Sequence, residues 1–227
     1  MAIDTAIKKK VTQDWQNAFP ELSLYAKDKL YKILGSTIIG LELIKMPRED
    51  DYRPYFVVYP LWEENIKDCL NGPIILQQYY NSKNLQYTIP YEKSDLFFNE
   101  VVNSVKKQSP LSFIDDVTLH EFITSIDEYS KKPPLSAAPN SYLQACLQKY
   151  KMMIALYVDS SQANVIFNQI KNNNWDLDHF KAFGINFSDW LNGLQQEIKH
   201  RDKFLEQIEI NKSDKKISKL QYSEIIL

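Results

Sequence analysis

Residues 37–62 constrain the fold of this chain more than any other stretch, because they predict a long β-hairpin. Two runs rich in β-branched and aromatic residues, Thr37–Met46 and Tyr55–Trp62, flank the charged, proline-bounded segment Pro47–Pro54. β-Branched and aromatic residues favour strands, whereas proline and clustered charge favour a turn. We therefore predict two antiparallel strands joined by a charged tip.

A second hairpin is predicted directly downstream. The β-prone runs Ile74–Tyr80 and Leu85–Ile89 flank the short polar connection Asn81–Asn84, a pattern typical of an antiparallel pair. Two hairpins indicate an α+β fold. We predict a small antiparallel sheet of four or five strands, packed by helices and followed by a mainly helical C-terminal region.

Apolar spacing predicts the helices that pack on this sheet. A first helix follows a cap at Asp4 or Thr5, and a second begins at Pro20 and ends before Gly35. A third begins near Ser94, and a fourth covers about residues 116–129.

The proline-rich segment 131–140 is the best candidate for a linker, because its prolines prevent a continuous helix. It divides the chain into an α+β domain at 1–130 and a helical region at 140–227. The two parts either form one compact unit or stand apart. The candidate caps for the C-terminal helices are Asn140 or Ser141, the segment 159–161, Asp176 and Ser188. The tail 211–227 either returns to the sheet as a strand or ends loosely held.

Composition narrows the functional classes. The formal net charge is −2, and only three of the 27 basic residues are arginines. A nucleic-acid binder needs a basic stripe, and arginine is the preferred residue for bidentate phosphate and base contacts. We therefore expect no nucleic-acid partner.

No window of about 18 apolar residues predicts a membrane span, and Met1–Lys10 has no apolar signal region. We expect a cytoplasmic protein whose cysteines, Cys69 and Cys146, are buried free thiols.

Motifs for catalysis are scarce. The phosphate-loop, dinucleotide-binding and nucleophile-elbow patterns do not occur in the sequence. His120-Glu121 supplies only the first half of an HExxH zinc motif. Asp116 and His120 are four residues apart, however, and a helix would place them on one face. A metal-dependent hydrolase that uses this pair is therefore the alternative function. The leading interpretation is non-catalytic, with no cofactor and no metal.

Recognition of another protein is the function that the sequence favours. The tip of the first hairpin combines acids, arginines and a tyrosine, and tyrosine and arginine are enriched at interface hot spots. We predict that it contacts a basic partner, as an inhibitor or immunity-type protein that occludes a basic enzyme would. The predicted contact residues are Arg48, Glu49, Asp50, Asp51, Tyr52 and Arg53. A further alternative is a small-ligand binder with a tyrosine-lined pocket at the junction of the sheet and the helices.

Overall fold

The structure is a computed structural model that describes residues 4–227. The strands are Ser23–Ala26 (β1), Lys29–Leu34 (β2), Thr37–Lys45 (β3), Asp51–Pro60 (β4), Ile75–Gln78 (β5), Ile89–Pro90 (β6), Val117–Thr118 (β7), Gln221–Ser223 (β8) and Ile225–Ile226 (β9). The α-helices are Thr5–Ala18 (α1), Ile66–Cys69 (α2), Ser94–Gln108 (α3), Leu119–Ser130 (α4), Tyr142–Val158 (α5), Ser160–Asn172 (α6), Leu177–Ala182 (α7), Phe187–Lys199 (α8) and Arg201–Lys212 (α9).

The main sheet has the order β1-β2-β3-β4-β5 with antiparallel neighbours throughout. β6 adds to the start of β4, and β8 runs parallel to β2. A small parallel pair, β7 with β9, holds the end of the chain. The α+β class, the antiparallel sheet and the helical C-terminal region are confirmed. The end of the tail returns to the sheet as β8.

The predicted hairpin at 37–62 is confirmed, but its tip is shorter than the sequence indicates. β3 and β4 pair from Thr37 opposite Pro60 to Lys45 opposite Tyr52. β4 begins at Asp51, so only residues 46–50 lie outside the strands. The second hairpin keeps its turn at Asn81–Asn84, but its strands meet only around the bridge between Tyr80 and Gln86.

The helix predicted after Pro20 is wrong. Residues 23–34 form β1 and β2, and Gly35 lies in the turn to β3 with φ of +54° rather than at a helix end. The apolar spacing of this segment suits both periods, but every residue from Leu30 to Leu34 is buried. A strand covered on both faces loses the alternation that would distinguish it from a buried helix.

The predicted cap of the last helix is also wrong. Its cap is the Asn186 side chain, which accepts from the Asp189 amide, rather than Ser188. The helix ends at Lys199, and α9 begins at Arg201 after a break at His200. The Arg201 side chain donates to the Leu156 and Tyr157 carbonyls at the end of α5 (2.7 and 2.8 Å).

One face of the sheet packs on α1, α3 and the loop before β7. Trp15 of α1 lies edge-on to Tyr52, and Phe56 of β4 packs on Phe113. At the far end of β4, Trp62 packs on Tyr150 of α5 and Phe204 of α9. Side chains from 1–130 and from 140–227 therefore share the main hydrophobic cluster.

Among residues 4–227, no helix is both long and apolar enough to cross a membrane.

Candidate functional site

The tip of the β3–β4 hairpin is exposed, and two backbone hydrogen bonds hold its base. The side chains of Arg48, Glu49 and Asp50 are all exposed. At the base of the tip, the Met46 amide donates to the Asp51 carbonyl (2.9 Å) and the Tyr91 amide donates to the Asp50 carbonyl (3.0 Å). Arg48 adopts a positive φ of +64°, which closes the turn. Two acids are thus presented to solvent on a defined backbone.

Tyr52 is the residue of the predicted contact set that the structure removes from the surface. It is fully buried, its oxygen accepts from the Trp15 indole N–H (3.1 Å), and it shares a hydrogen bond with the Ser94 hydroxyl (2.8 Å). Burial raises the pKa of Tyr52. Because side chains alternate along a strand, the tyrosine faces the helices when Asp51 and Arg53 face away. The Tyr52 side chain is therefore not part of the exposed surface of the tip, unlike the other residues of the predicted contact set.

Arg53 lies on the face of β4 opposite to Tyr52, which we call the outer face. Two neutral side chains fix the orientation of its guanidinium group. Its Nε–H donates to the Thr88 hydroxyl and an Nη1–H donates to the Gln86 side-chain oxygen, both at 2.9 Å. The Gln86 amide in turn donates to the Tyr55 hydroxyl (2.9 Å). Arg53, Tyr55 and Gln86 are half-buried. We refer to Arg53, Tyr55, Gln86 and Thr88 as the guanidinium site.

A buried carboxylate lies next to this site on the same face of the sheet. Oε1 of Glu42 accepts from Lys29 Nζ (2.9 Å) and from the Tyr59 hydroxyl (2.9 Å), and the Tyr31 hydroxyl also donates to it. Burial, reinforced by the charge of Glu42, raises the pKa of Tyr31 and of Tyr59. The cluster ties β2, β3 and β4 together on this face of the sheet.

Sequence reasoning missed this cluster. The available signal was a single carboxylate, Glu42, inside an otherwise apolar run. Its partner Tyr31 belongs to β2, a segment that is predicted to be helical from its apolar spacing. The pairing of Tyr31 with Glu42 could therefore not be anticipated. A buried carboxylate needs hydrogen-bonding partners, and they come from strands whose register the sequence did not give.

Asp116 and His120, the pair proposed for a hydrolase, are not brought onto one helix face. Asp116 precedes β7, and its Oδ1 accepts from the Glu224 amide (2.8 Å). α4 begins only at Leu119, after the capping box in which Thr118 and Glu121 bond to each other's backbone amides. These bonds with Thr118 lower the pKa of Glu121. The premise of a four-residue helical spacing was therefore wrong. Among residues 4–227 no group of three or more His, Cys, Asp or Glu side chains is arranged to hold a metal ion.

Both cysteines are free thiols. Cys69 is buried, and burial raises its pKa to about 11. Cys146 is half-buried, and burial raises its pKa as well. A nucleophilic cysteine needs a lowered pKa, because the thiolate is the reactive form. Neither environment supplies one.

The tyrosines of the second hairpin mostly belong to the core. Tyr79, Tyr87 and Tyr91 are buried, whereas Tyr80 is 38% exposed. The Tyr79 hydroxyl bonds to Ser109 (2.8 Å). A cleft of about 520 Å³ lies between the end of α1 and the 109–114 loop. Its walls include Phe19, Lys106 and Phe113 but no tyrosine.

Comparison of the chain with protein-family models, with curated proteins and with solved structures gave no match.

Proposed function

We propose that this protein is a non-catalytic binding module that docks on a basic protein through the tip of its β3–β4 hairpin. The observation that carries the proposal is the conformation of that tip. Glu49 and Asp50 are exposed at the end of the two longest strands, on a short turn whose base is held by two backbone hydrogen bonds.

Rigidity matters because association costs conformational entropy. A loop that already holds its bound conformation avoids the cost of ordering each side chain and backbone unit on binding. The Glu42 cluster and the aromatic contact between Tyr52 and Tyr91 (4.8 Å between ring centres) support the tip from below. An ordered acidic projection suits a protein that enters a basic groove.

The charge of the tip determines which kind of partner it favours. Opposite potentials on two surfaces speed their encounter and disfavour partners of like charge. Glu49 and Asp50 form no salt bridge within 4.0 Å among the described residues. Their charges are available to basic residues of a partner. An inhibitor or immunity-type protein that occludes a basic enzyme would use such a projection.

The test is affinity capture from the native lysate with three forms of the protein. The double variant Glu49→Lys, Asp50→Lys reverses the tip without touching the half-buried Asp51. The control Glu197→Lys, Glu206→Lys makes the same change in net charge at exposed positions of α8 and α9. We expect a basic protein that is retained by the wild type and the control, and lost by the tip variant.

Measured affinity then decides the role of the tip. The wild-type complex should weaken with salt, because charge attraction is screened over about 10 Å at 0.1 M ionic strength. If the tip variant binds the captured protein with unchanged affinity and unchanged salt dependence, the hairpin tip is not the contact.

A further inference from the structure

The three arginines of this chain have three different environments. Arg201 donates to the Leu156 and Tyr157 carbonyls and has a structural role at the end of α5. Arg48 is exposed on the hairpin tip. Arg53 is half-buried and is held from two sides by the neutral side chains of Thr88 and Gln86.

Arg53 forms no direct salt bridge with a carboxylate of this protein. Among residues 4–227, no carboxylate oxygen lies within 4.0 Å of its guanidinium nitrogens. The neighbouring Glu42 carboxylate is occupied by Lys29, Tyr31 and Tyr59. Asp51, two residues away on the same face of β4, is the other nearby acid. A guanidinium carries five N–H donors, so the two bonds to Thr88 and Gln86 leave donors for another acceptor.

The orientation of the guanidinium is already fixed. An arginine side chain has many rotamers, and ordering it on binding costs affinity. Here the bonds to Thr88 and Gln86 restrict the side chain, and Gln86 is itself oriented by the Tyr55 hydroxyl. Planar guanidinium groups bind carboxylates with paired hydrogen bonds.

We propose that the guanidinium site binds a carboxylate of the partner protein, from an aspartate, a glutamate or the chain terminus. The identification of the ligand as part of a protein rests on the proposed function. The site itself rests on the geometry of Arg53, Tyr55, Gln86 and Thr88. The binding surface then carries charges of both signs. The acids of the tip contact basic residues of the partner, and Arg53 contacts a partner carboxylate that lies next to those basic residues.

The direct test uses acetate as the probe and nitrogen-15 NMR of the arginine side chains. With only three arginines, the Nε signals of Arg48, Arg53 and Arg201 can be assigned by substitution. Acetate replaces chloride at constant ionic strength. We expect a saturable shift of the Arg53 Nε signal, accompanied by the Gln86 side-chain amide. Arg48 is the exposed control and Arg201 the half-buried one, and neither should show saturation.

The proposal is overturned if the Arg53 signal responds to acetate no more than Arg48 does. A second measurement uses the partner protein obtained by capture. Arg53→Lys should weaken binding by about tenfold or more, because an ammonium cannot reproduce the paired geometry. Lys199→Arg, the reverse exchange at an exposed position of α8 outside the hairpin, serves as the control. Equal affinities of the two variants for the partner would exclude Arg53 from the interface. Saturation by acetate in a protein whose tip reversal has no effect would instead sustain the carboxylate site and refute the acidic-tip contact.

Discussion

Replacement of Gly40 by alanine should destabilise the protein severely, because the centre of the sheet has no room for a methyl group. Gly40 lies in β3, opposite Tyr31 of β2 and Val57 of β4. A Cβ atom at this position would lie 2.0 Å from the Leu30 carbonyl oxygen and 2.8 Å from Cδ1 of Tyr31. The first contact involves backbone and cannot be relieved by rotating a side chain.

The size of the effect follows from the displacement required. Real Cβ contacts essentially never fall below 3.0 Å, so the distance to the Leu30 oxygen must grow from 2.0 Å by at least 1.0 Å. β3 is paired on both sides, and the shift would distort one ladder or the other. Overpacking in a well-packed core costs about 1–3 kcal/mol, and backbone contact in the central strand places this change at or above the upper end. For a protein of this size, 3 kcal/mol corresponds to a fall in Tm of about 6–12 °C.

Denaturant unfolding followed by tryptophan fluorescence measures this directly. The matched control is Gly193→Ala in α8, where nothing lies within 4 Å of the added carbon. Alanine is a better helix former than glycine by about 1 kcal/mol, so the control should be more stable than the wild type. A Gly40→Ala protein within about 0.5 kcal/mol of the wild type would contradict the packing described here.

Two further predictions concern buried polar groups. Burial and the charge of Glu42 raise the pKa of Tyr31, so the folded state keeps this proton at pH values where the unfolded chain has lost it. Stability should therefore fall above about pH 10, by up to about 1.4 kcal/mol per pH unit for this group, and urea unfolding should show a smaller alkaline loss for Tyr31→Phe. Ser223→Ala removes one acceptor of the buried Lys32 amine (2.6 Å) and leaves it only the Phe113 carbonyl (2.8 Å). We expect a cost of about 1.5–3 kcal/mol and faster hydrogen exchange in the C-terminal strand, and unchanged exchange there would contradict the anchoring role of this bond.

Local signals in the sequence identified much of the secondary structure. The caps at Ser141, Asp159 and Asp176 are present, and each side chain accepts a hydrogen bond from the first turn of its helix. The β3–β4 hairpin also follows from local composition. These features depend on neighbouring residues, and a cap or a turn is satisfied by groups within about four positions of itself.

The predictions that were wrong concern segments whose structure depends on contacts with residues distant in the sequence. The segment 23–34 carries apolar residues at spacings that suit a helix, but β3 pairs along its whole second half. Asp116 and His120 were expected to share a helix, but the parallel pairing of Val117 with Ile225 pulls Asp116 out of it. Neither the pairing of β2 with β3 nor that of β7 with β9 leaves a signal within the segment concerned.

The sequence by itself determined the class of the fold, the long hairpin and the acidic character of its tip, because alternation, proline and charge act over a few residues. Only the tertiary structure decided which side of β4 faces the helices. That choice buries Tyr52, and it places Arg53 on the outer face with Thr88 and Gln86 as its acceptors. The physical reason is that a strand offers two equivalent faces, and along the first half of β4 the packing of distant helices buries only the face that carries Tyr52.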